Sequence, residues 1–220
     1  MTGLTTEVAV VGRGMLGSPT ARRLAESGAS VVLVGAGEPA DRHTHTGVFA
    51  SHHDDTRITR VIDPDPARAW LGDRSVPVFC RLEAQTGVCI VSEVGHLWIA
   101  TSDEIDTLVE ADLRFGLGCS RHDAAGLGSA FPNLSVPGGL QGLFQPDRAG
   151  YLDPRAYVRA EGLAFGSAGG TVLEALVTSV RDIGTTVLIE TSAGTITADR
   201  AVLATGAFFA HGDKIGRAHV

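Results

Sequence analysis

Apolar and polar positions switch between two periods along this chain. Val8–Val11 and Val31–Val34 are unbroken apolar runs, as in strands buried on both faces of a parallel sheet. Between them, Leu16, Ala21, Leu24 and Ala25 recur at helical spacing, and Gly28 after Ser27 stops the helix as a C-cap. The first third therefore opens strand (Glu7–Val11), helix, strand (Ser30–Val34). Gly35–Pro66 stays polar and rich in His, Asp and Arg, longer than an ordinary connection.

Ala67–Thr86 predicts a helix that Pro77 breaks or bends. Val88–Val91 and His96–Ala100 predict strands. Ser102–Phe115 predicts a helix with Ser102 as N-cap and Ile105, Leu108, Val109 and Leu113 on one face. A short helix at Asp123–Phe131 precedes a turn-rich stretch with a strand at Gly139–Phe144. Pro154–Gly169 predicts a helix and Thr171–Val177 a strand. Thr178–Glu190 and Gly194–Ala204 predict a hairpin-like pair. No internal repeat is present.

The first helix opens on Gly12-Arg-Gly14-Met-Leu-Gly17. In a Gly-x-Gly-x-x-Gly turn after a strand, Gly12 permits the tight turn. Gly14 lets a pyrophosphate approach the backbone, and Gly17 lets the helix lie close on the sheet. The helix N-terminus then offers N–H groups and a positive dipole end to phosphates. The pattern predicts a dinucleotide site. One element departs from it: the second strand should end on an acidic residue that binds a ribose hydroxyl, and the chain has Gly35. Glu38 is the nearest carboxylate; it either reaches the ribose or is a solvated loop residue. No basic residue adjoins Gly35 in sequence to favour a 2′-phosphate.

Composition narrows the partners. The chain has 220 residues, is 44% hydrophobic and carries a formal net charge of −7. Its basic residues form no stripe, which argues against nucleic acid. Cys80, Cys89 and Cys119 have no metal-ligand spacing and are expected to be reduced and buried. His43, His45, His52 and His53 lack the spacing of zinc motifs, so no metal is expected. Trp70 and Trp98 read as packing residues. The N-terminus is too polar for a signal peptide and no run is long enough to span a membrane, so the expectation is a soluble cytoplasmic protein. By composition alone, Ser51–Arg60 reads as a surface loop laced with ion pairs.

Four segments give that loop another reading. They are the glycine turn, Ser51-His-His-Asp-Asp-Thr-Arg-Ile-Thr-Arg60, Gly150-Tyr-Leu-Asp-Pro154, and Ile196–Ala207 with its Ala-Thr-Gly-Ala end. In these the chain resembles the FAD-dependent amine and amino-acid oxidases of the D-amino-acid oxidase superfamily, in particular the monomeric sarcosine oxidase and N-methyl amino-acid oxidase branch. The second segment is the most specific. The resemblance implies an α/β fold: a Rossmann-like FAD-binding domain of the glutathione-reductase type (1–84 and 150–213) with an inserted mixed α+β substrate domain (85–149), incomplete at the C-terminus.

The resemblance also implies roles. Gly12, Gly14 and Gly17, with Met15 and Leu16, hold the FAD pyrophosphate. Ser51 and Thr56 lie on the cofactor, Val177 meets the adenine through its backbone, and Thr205 and Gly206 lie close to FAD. His53 and Arg57 sit against the flavin, and Arg60 reaches a substrate carboxylate. The implied reaction oxidises a primary or secondary amine of an amino acid, with oxygen as acceptor and peroxide as product. A flavin dehydrogenase using an electron carrier, and an NAD(P)-dependent Rossmann reductase, remain as alternatives; the oligomeric state is open. The physics agrees with the roles. Reduction puts negative charge on a flavin, which a fixed cation such as Arg57 stabilises. Arg60 can pair bidentately with a carboxylate and so orient a small amino acid. His53 can titrate near neutral pH.

Ile215–Val220 is the translation of ATC GGA AGA GCA CAC GTC, a stretch of a common sequencing adapter, and Lys214 fits the AAG before it. The expectation is a non-native tail at 214–220 on a truncated fragment. In the family, the part beyond such an Ala-Thr-Gly-Ala turn carries the covalent flavin cysteine of some members, and none of Cys80, Cys89 or Cys119 matches that position.

Overall fold

The computed structural model describes residues 3–41, 43–47 and 49–210; the tail expected at 214–220 lies outside them. The chain opens with β1 (Leu4–Val11), α1 (Gly17–Glu26), β2 (Val31–Gly35) and β3 (Arg57–Thr59). Then come α2 (Pro66–Thr86), β4 (Val91–Ser92), β5 (His96–Ala100), α3 (Ser102–Phe115), β6 (Ser120–His122) and α4 (Ala124–Ala130). After β7 (Gln141–Gln145) and β8 (Gly150–Leu152) follow α5 (Pro154–Ser167), β9 (Thr171–Glu174), β10 (Val177–Asp182), β11 (Val187–Thr191) and β12 (Gly194–Leu203). A 3-10 turn covers Gly206–Ala210.

Two compact units form. One takes the residues up to Asp55, Gln85–Val88 and those from Pro154 on; the other takes Thr56–Ala84 and Cys89–Asp153. The sequence reading put 56–84 and 150–153 with the nucleotide-binding part. Packing moves them. Val61 and Ile62 are fully buried in one core with Ile105, Leu108 and Leu143, and β8 pairs with β3 and β4.

The first unit is a sheet ordered β10-β11-β12-β1-β2-β9. β12, β1, β2 and β9 run parallel, and the β10–β11 hairpin joins β12 antiparallel. The apolar runs are continuous because both faces are buried. Val10, Val31 and Leu33 pack with Ala21, Ala25 and Phe165 from α1 and α5, while Ala9, Val11, Val32 and Val34 join Ala175, Ile189 and Ile196 in a second cluster. Beneath the helices, buried Arg22 of α1 pairs with buried Glu161 of α5, Nε to Oε2 at 2.5 Å and Nη2 to Oε1 at 3.1 Å. That contact raises the Arg22 pKa, and burial followed by the Glu161 charge raises that of Tyr157.

β1 has α1-linked β2 on one side and late-arriving β12 on the other. The chain thus diverges at the carboxyl end of β1, the place where open α/β sheets bind ligands.

The second unit has two three-stranded sheets, β3-β8-β4 and β5-β7-β6, with α2, α3 and α4. Buried Gln145 organises it: Oε1 accepts from Val61 N (3.1 Å) and Ile62 N (3.0 Å), and Nε2 donates to Asp147 O (2.7 Å).

Local expectations shift in several places. α2 runs through Pro77, because a proline forgoes one hydrogen bond while the rest of the ladder continues. The cap of α3 is Thr101, whose N and Oγ1 both bond Glu104 Oε2 (3.1 and 2.8 Å). Thr178–Glu190 turns at 183–186 into two strands, with Ile183 N bonded to Thr186 O. β3, β6 and β8 are too short to show a period. Leu16 caps α1 and is 76% exposed, so it leaves the apolar stripe. Cys80 and Cys89 are exposed and Cys119 is half-buried, because the first two lie on the outer side of α2 and in the loop after it.

Candidate functional site

The glycine turn is built by close backbone approach. Gly12 has φ +113° and its N donates to Val34 O at 2.8 Å. A Cβ on Gly12 would collide with Ala204 O, and one on Gly17 would collide with Gly12 O. Ala204 N in turn donates to Val11 O at 2.8 Å. The turn after β1 and the Ala204–Gly206 turn after β12 are therefore packed neighbours. No side chain caps α1, and no acidic residue occupies its first turn. Its leading N–H groups, from Gly14-Met15-Leu16-Gly17, thus have no acidic side chain within that turn.

Two buried polar atoms beside this turn lack partners. Thr205 Oγ1 and His52 Nδ1 find no hydrogen-bond partner among the described residues. His52 Nδ1 lies 3.7 Å from where a Gly14 Cβ would stand. His52 is only 9% exposed, and burial, then the adjacent His53, lower its pKa to about 4. It is therefore a neutral imidazole at neutral pH. Buried polar groups without partners are costly. Together with a turn that leaves backbone N–H groups for an anion, these atoms fit a bound dinucleotide such as FAD.

His53 is also buried, its ring edge-on to His52 (4.4 Å) and to Phe49 (5.1 Å). Arg155, in the first turn of α5, fixes this loop. It donates to His53 O (2.7 Å), Asp55 Oδ1 (2.7 Å) and Glu38 Oε1 (2.9 Å). Sequence reasoning missed Arg155; its signal was a cation directly after Gly150–Pro154. Glu38 is thus an ion-pair partner of Arg155. Ser51 is exposed in the same loop. Val177 opens β10, half-buried against the core. Gly206 opens the last turn with φ +57°.

Gly35 has no basic neighbour in sequence but gains one in space. Arg13 folds over it from the glycine turn, Nη1 donating to Gly35 O at 3.2 Å.

The Ser51–Arg60 segment crosses from one unit to the other, with Thr56, Arg57 and Arg60 in the second. There, β3 pairs with β8 in the register Arg57↔Leu152, Ile58↔Tyr151 and Thr59↔Gly150. Two of the motif segments are therefore hydrogen-bonded neighbours. Thr56 is exposed and Arg57 half-buried. Gly72 lets α2 press on the backbone of Arg60, since a Cβ there would strike Arg60 O. The Arg60 guanidinium lies over the Trp98 ring, 4.6 Å from its centroid. Nε donates to Ile62 O (3.1 Å) and Nη2 to Asp63 Oδ2 (2.9 Å). Nη1 has no acceptor among the described residues. Burial and Arg60 lower the pKa of nearby His96.

Among the described residues, no group of three or more His, Cys, Asp or Glu side chains could hold a metal ion. None of their helices is long and apolar enough to cross a membrane.

Comparison with known proteins adds to this geometry. The DAO family, described as FAD dependent oxidoreductase, matches residues 7–218. Monomeric sarcosine oxidase of Bacillus sp. (strain B-0618) is 29% identical over 207 residues, 92% of this chain and 51% of that protein. N-methyl-L-tryptophan oxidase of Escherichia coli (strain K12) is 24% identical, covering 91% of this chain and 53% of that protein. The chain spans about half the length of these curated relatives. Among solved structures, NikD, an unusual amino acid oxidase essential for nikkomycin biosynthesis, superposes with a TM-score of 0.73 at 24% identity, over 93% of this chain and 52% of its own. Glycine oxidase from Geobacillus kaustophilus gives 0.71 at 21%, over 93% and 56%. At these identities the structural likenesses carry the fold.

Proposed function

We propose, for a chain that belongs to the DAO family of FAD-dependent oxidoreductases, that the protein oxidises the amine of an amino acid, sarcosine or an N-methyl amino acid in type, and passes the electrons to oxygen to give hydrogen peroxide. The observation that carries this reading is Arg60, braced on Trp98, Ile62 O and Asp63 with Nη1 left over. A planar cation held on three sides is preorganised for a carboxylate.

Bound FAD supplies a two-electron acceptor for the hydride leaving the substrate carbon. Gly12, Gly14 and Gly17, with the N–H groups of Met15 and Leu16, hold its pyrophosphate. Thr205, Gly206, Ser51 and Val177, of the same unit, line the remainder. By the family resemblance, Arg57 is the fixed cation that would stabilise a reduced flavin. His53, pinned through its carbonyl by Arg155, sets proton access at that point. Arg60 Nη1 takes the substrate carboxylate and orients the amine-bearing carbon. The imine product is hydrolysed by water.

The test has two parts. The protein encoded by the complete gene, purified with FAD, is expected to retain flavin absorbance after desalting. The protein encoded by the complete gene is expected to release peroxide under air with N-methyl or other amino acids. In that protein Arg60→Ala should lower kcat/KM about 10- to 100-fold, the scale of a lost charged hydrogen bond. Unchanged KM and turnover in the variant would remove the carboxylate role. Turnover only with an added electron carrier would replace oxygen as the acceptor.

A further inference from the structure

Gly35 stands where a second strand should supply a carboxylate to the adenosine ribose. A side chain there would crowd Arg13. A Cβ on Gly35 would lie 3.0 Å from Arg13 N and 3.2 Å from Arg13 Cγ. A carboxylate reaches the spot from the next strand instead. Glu174 ends β9 and is the ladder partner of Gly35. Arg13 Nη1, already on Gly35 O, also donates to Glu174 Oε2 at 3.0 Å. Glycine at position 37 clears the path, because a Cβ there would collide with Glu174 Oε1. The Glu174 side chain is 67% exposed and that of Arg13 25%, so the pair faces solvent at the strand ends rather than the core. Glu38, the other carboxylate close in sequence, is taken by Arg155. All these residues belong to one unit with the glycine turn, where His52 Nδ1 is buried and unpartnered.

We propose that Glu174, held by Arg13, binds the adenosine ribose of the dinucleotide, replacing the acidic residue absent at position 35. Oε2 is committed to Arg13, and Oε1 accepts from a ribose hydroxyl. Arg13 is a positioning residue, holding the carboxylate in place through Nη1. This inference rests on the reading that the first unit holds FAD.

The experiment is titration calorimetry on the purified chain with FAD, ADP and 2′-deoxy-ADP. Wild type should bind ADP more tightly than 2′-deoxy-ADP. Glu174→Ala should weaken ADP about 10- to 100-fold and leave 2′-deoxy-ADP nearly unchanged, since only the first has the hydroxyl to lose. Glu174→Gln, of the same shape, guards against a folding defect and should fall between. Arg13→Ala should weaken ADP less, and should add nothing in the Glu174→Ala background. ADP and 2′-deoxy-ADP weakened equally, or ADP unaffected by Glu174→Ala, would overturn the assignment while leaving FAD binding intact. Tighter binding of 2′-phospho-ADP-ribose than of ADP would overturn it in favour of Arg13 as a phosphate ligand. A wild-type chain that binds neither FAD nor ADP would overturn the FAD reading and this inference together.

Discussion

At the scale of single residues, His52 makes the sharpest physical prediction. Its imidazole is neutral in the fold, with a pKa near 4, and near 6.5 in an unfolded chain. Between those values the unfolded state holds the extra proton, so its stability relative to the fold grows as pH falls. Stability should therefore drop from about pH 6.5 to about pH 4, by at most about 3 kcal/mol from this group, then level off. Urea melts across that range measure it, and His52→Gln should flatten the slope. An unchanged slope would mean that His52 carries no such shift. The glycines were legible from sequence because their demands are local: a turn and two close backbone approaches. His52, Arg155 and Glu174 were not. Their roles depend on the residues brought against them, which spacing along the chain does not encode.

Among the elements, the contact between α1 and α5 holds a buried ion pair. α1 presents the glycine turn and α5 presents Arg155, and Arg22–Glu161 locks the two helices together out of water. Removing Glu161 leaves buried Arg22 with Glu26 alone, through Nη1 at 2.8 Å. Glu161→Ala should cost about 3–5 kcal/mol, while replacing both residues with leucine should recover most of that. Thermal or urea unfolding of the three variants decides it, and an equal loss in single and double variants would contradict the account. Sequence gave the existence and type of the long helices and of the first two strands, because their apolar periods are strong. It misplaced the cap of α3 by one residue, since Thr101 and Ser102 are both capping types and only the Glu104 contact separates them. Pro77 misled because a proline's cost is local, whereas a long helix is held by its packing.

For the whole molecule, the prediction concerns linkage. A dinucleotide that binds only the folded chain stabilises it by RT ln(1 + [L]/Kd), about 2.7 kcal/mol at a hundredfold excess over Kd. FAD should thus raise the melting temperature in proportion to the logarithm of its concentration, and NAD should not. A shift with NAD alone would return the chain to the nicotinamide-dependent reading. The parallel α/β class and the dinucleotide turn were visible from sequence. The boundary at Asp55–Thr56 was not, because it falls inside a motif that reads as continuous, and only the burial of Val61 and Ile62 assigns the residues beyond it.

The pairing of β1 with β12 has a consequence for synthesis. Val11 sits beside Leu203, and the glycine turn leans on Ala204. The phosphate cradle is encoded at the very start of the chain, yet half its wall is made near the end of the described residues. At synthesis rates of about 5–20 residues per second, the first strand waits roughly 10–40 s for its central neighbour. Contacts of such sequence separation also form slowly once they can. Nascent chains arrested before residue 204 should hold the whole Gly-x-Gly-x-x-Gly sequence and still be unable to retain a nucleotide.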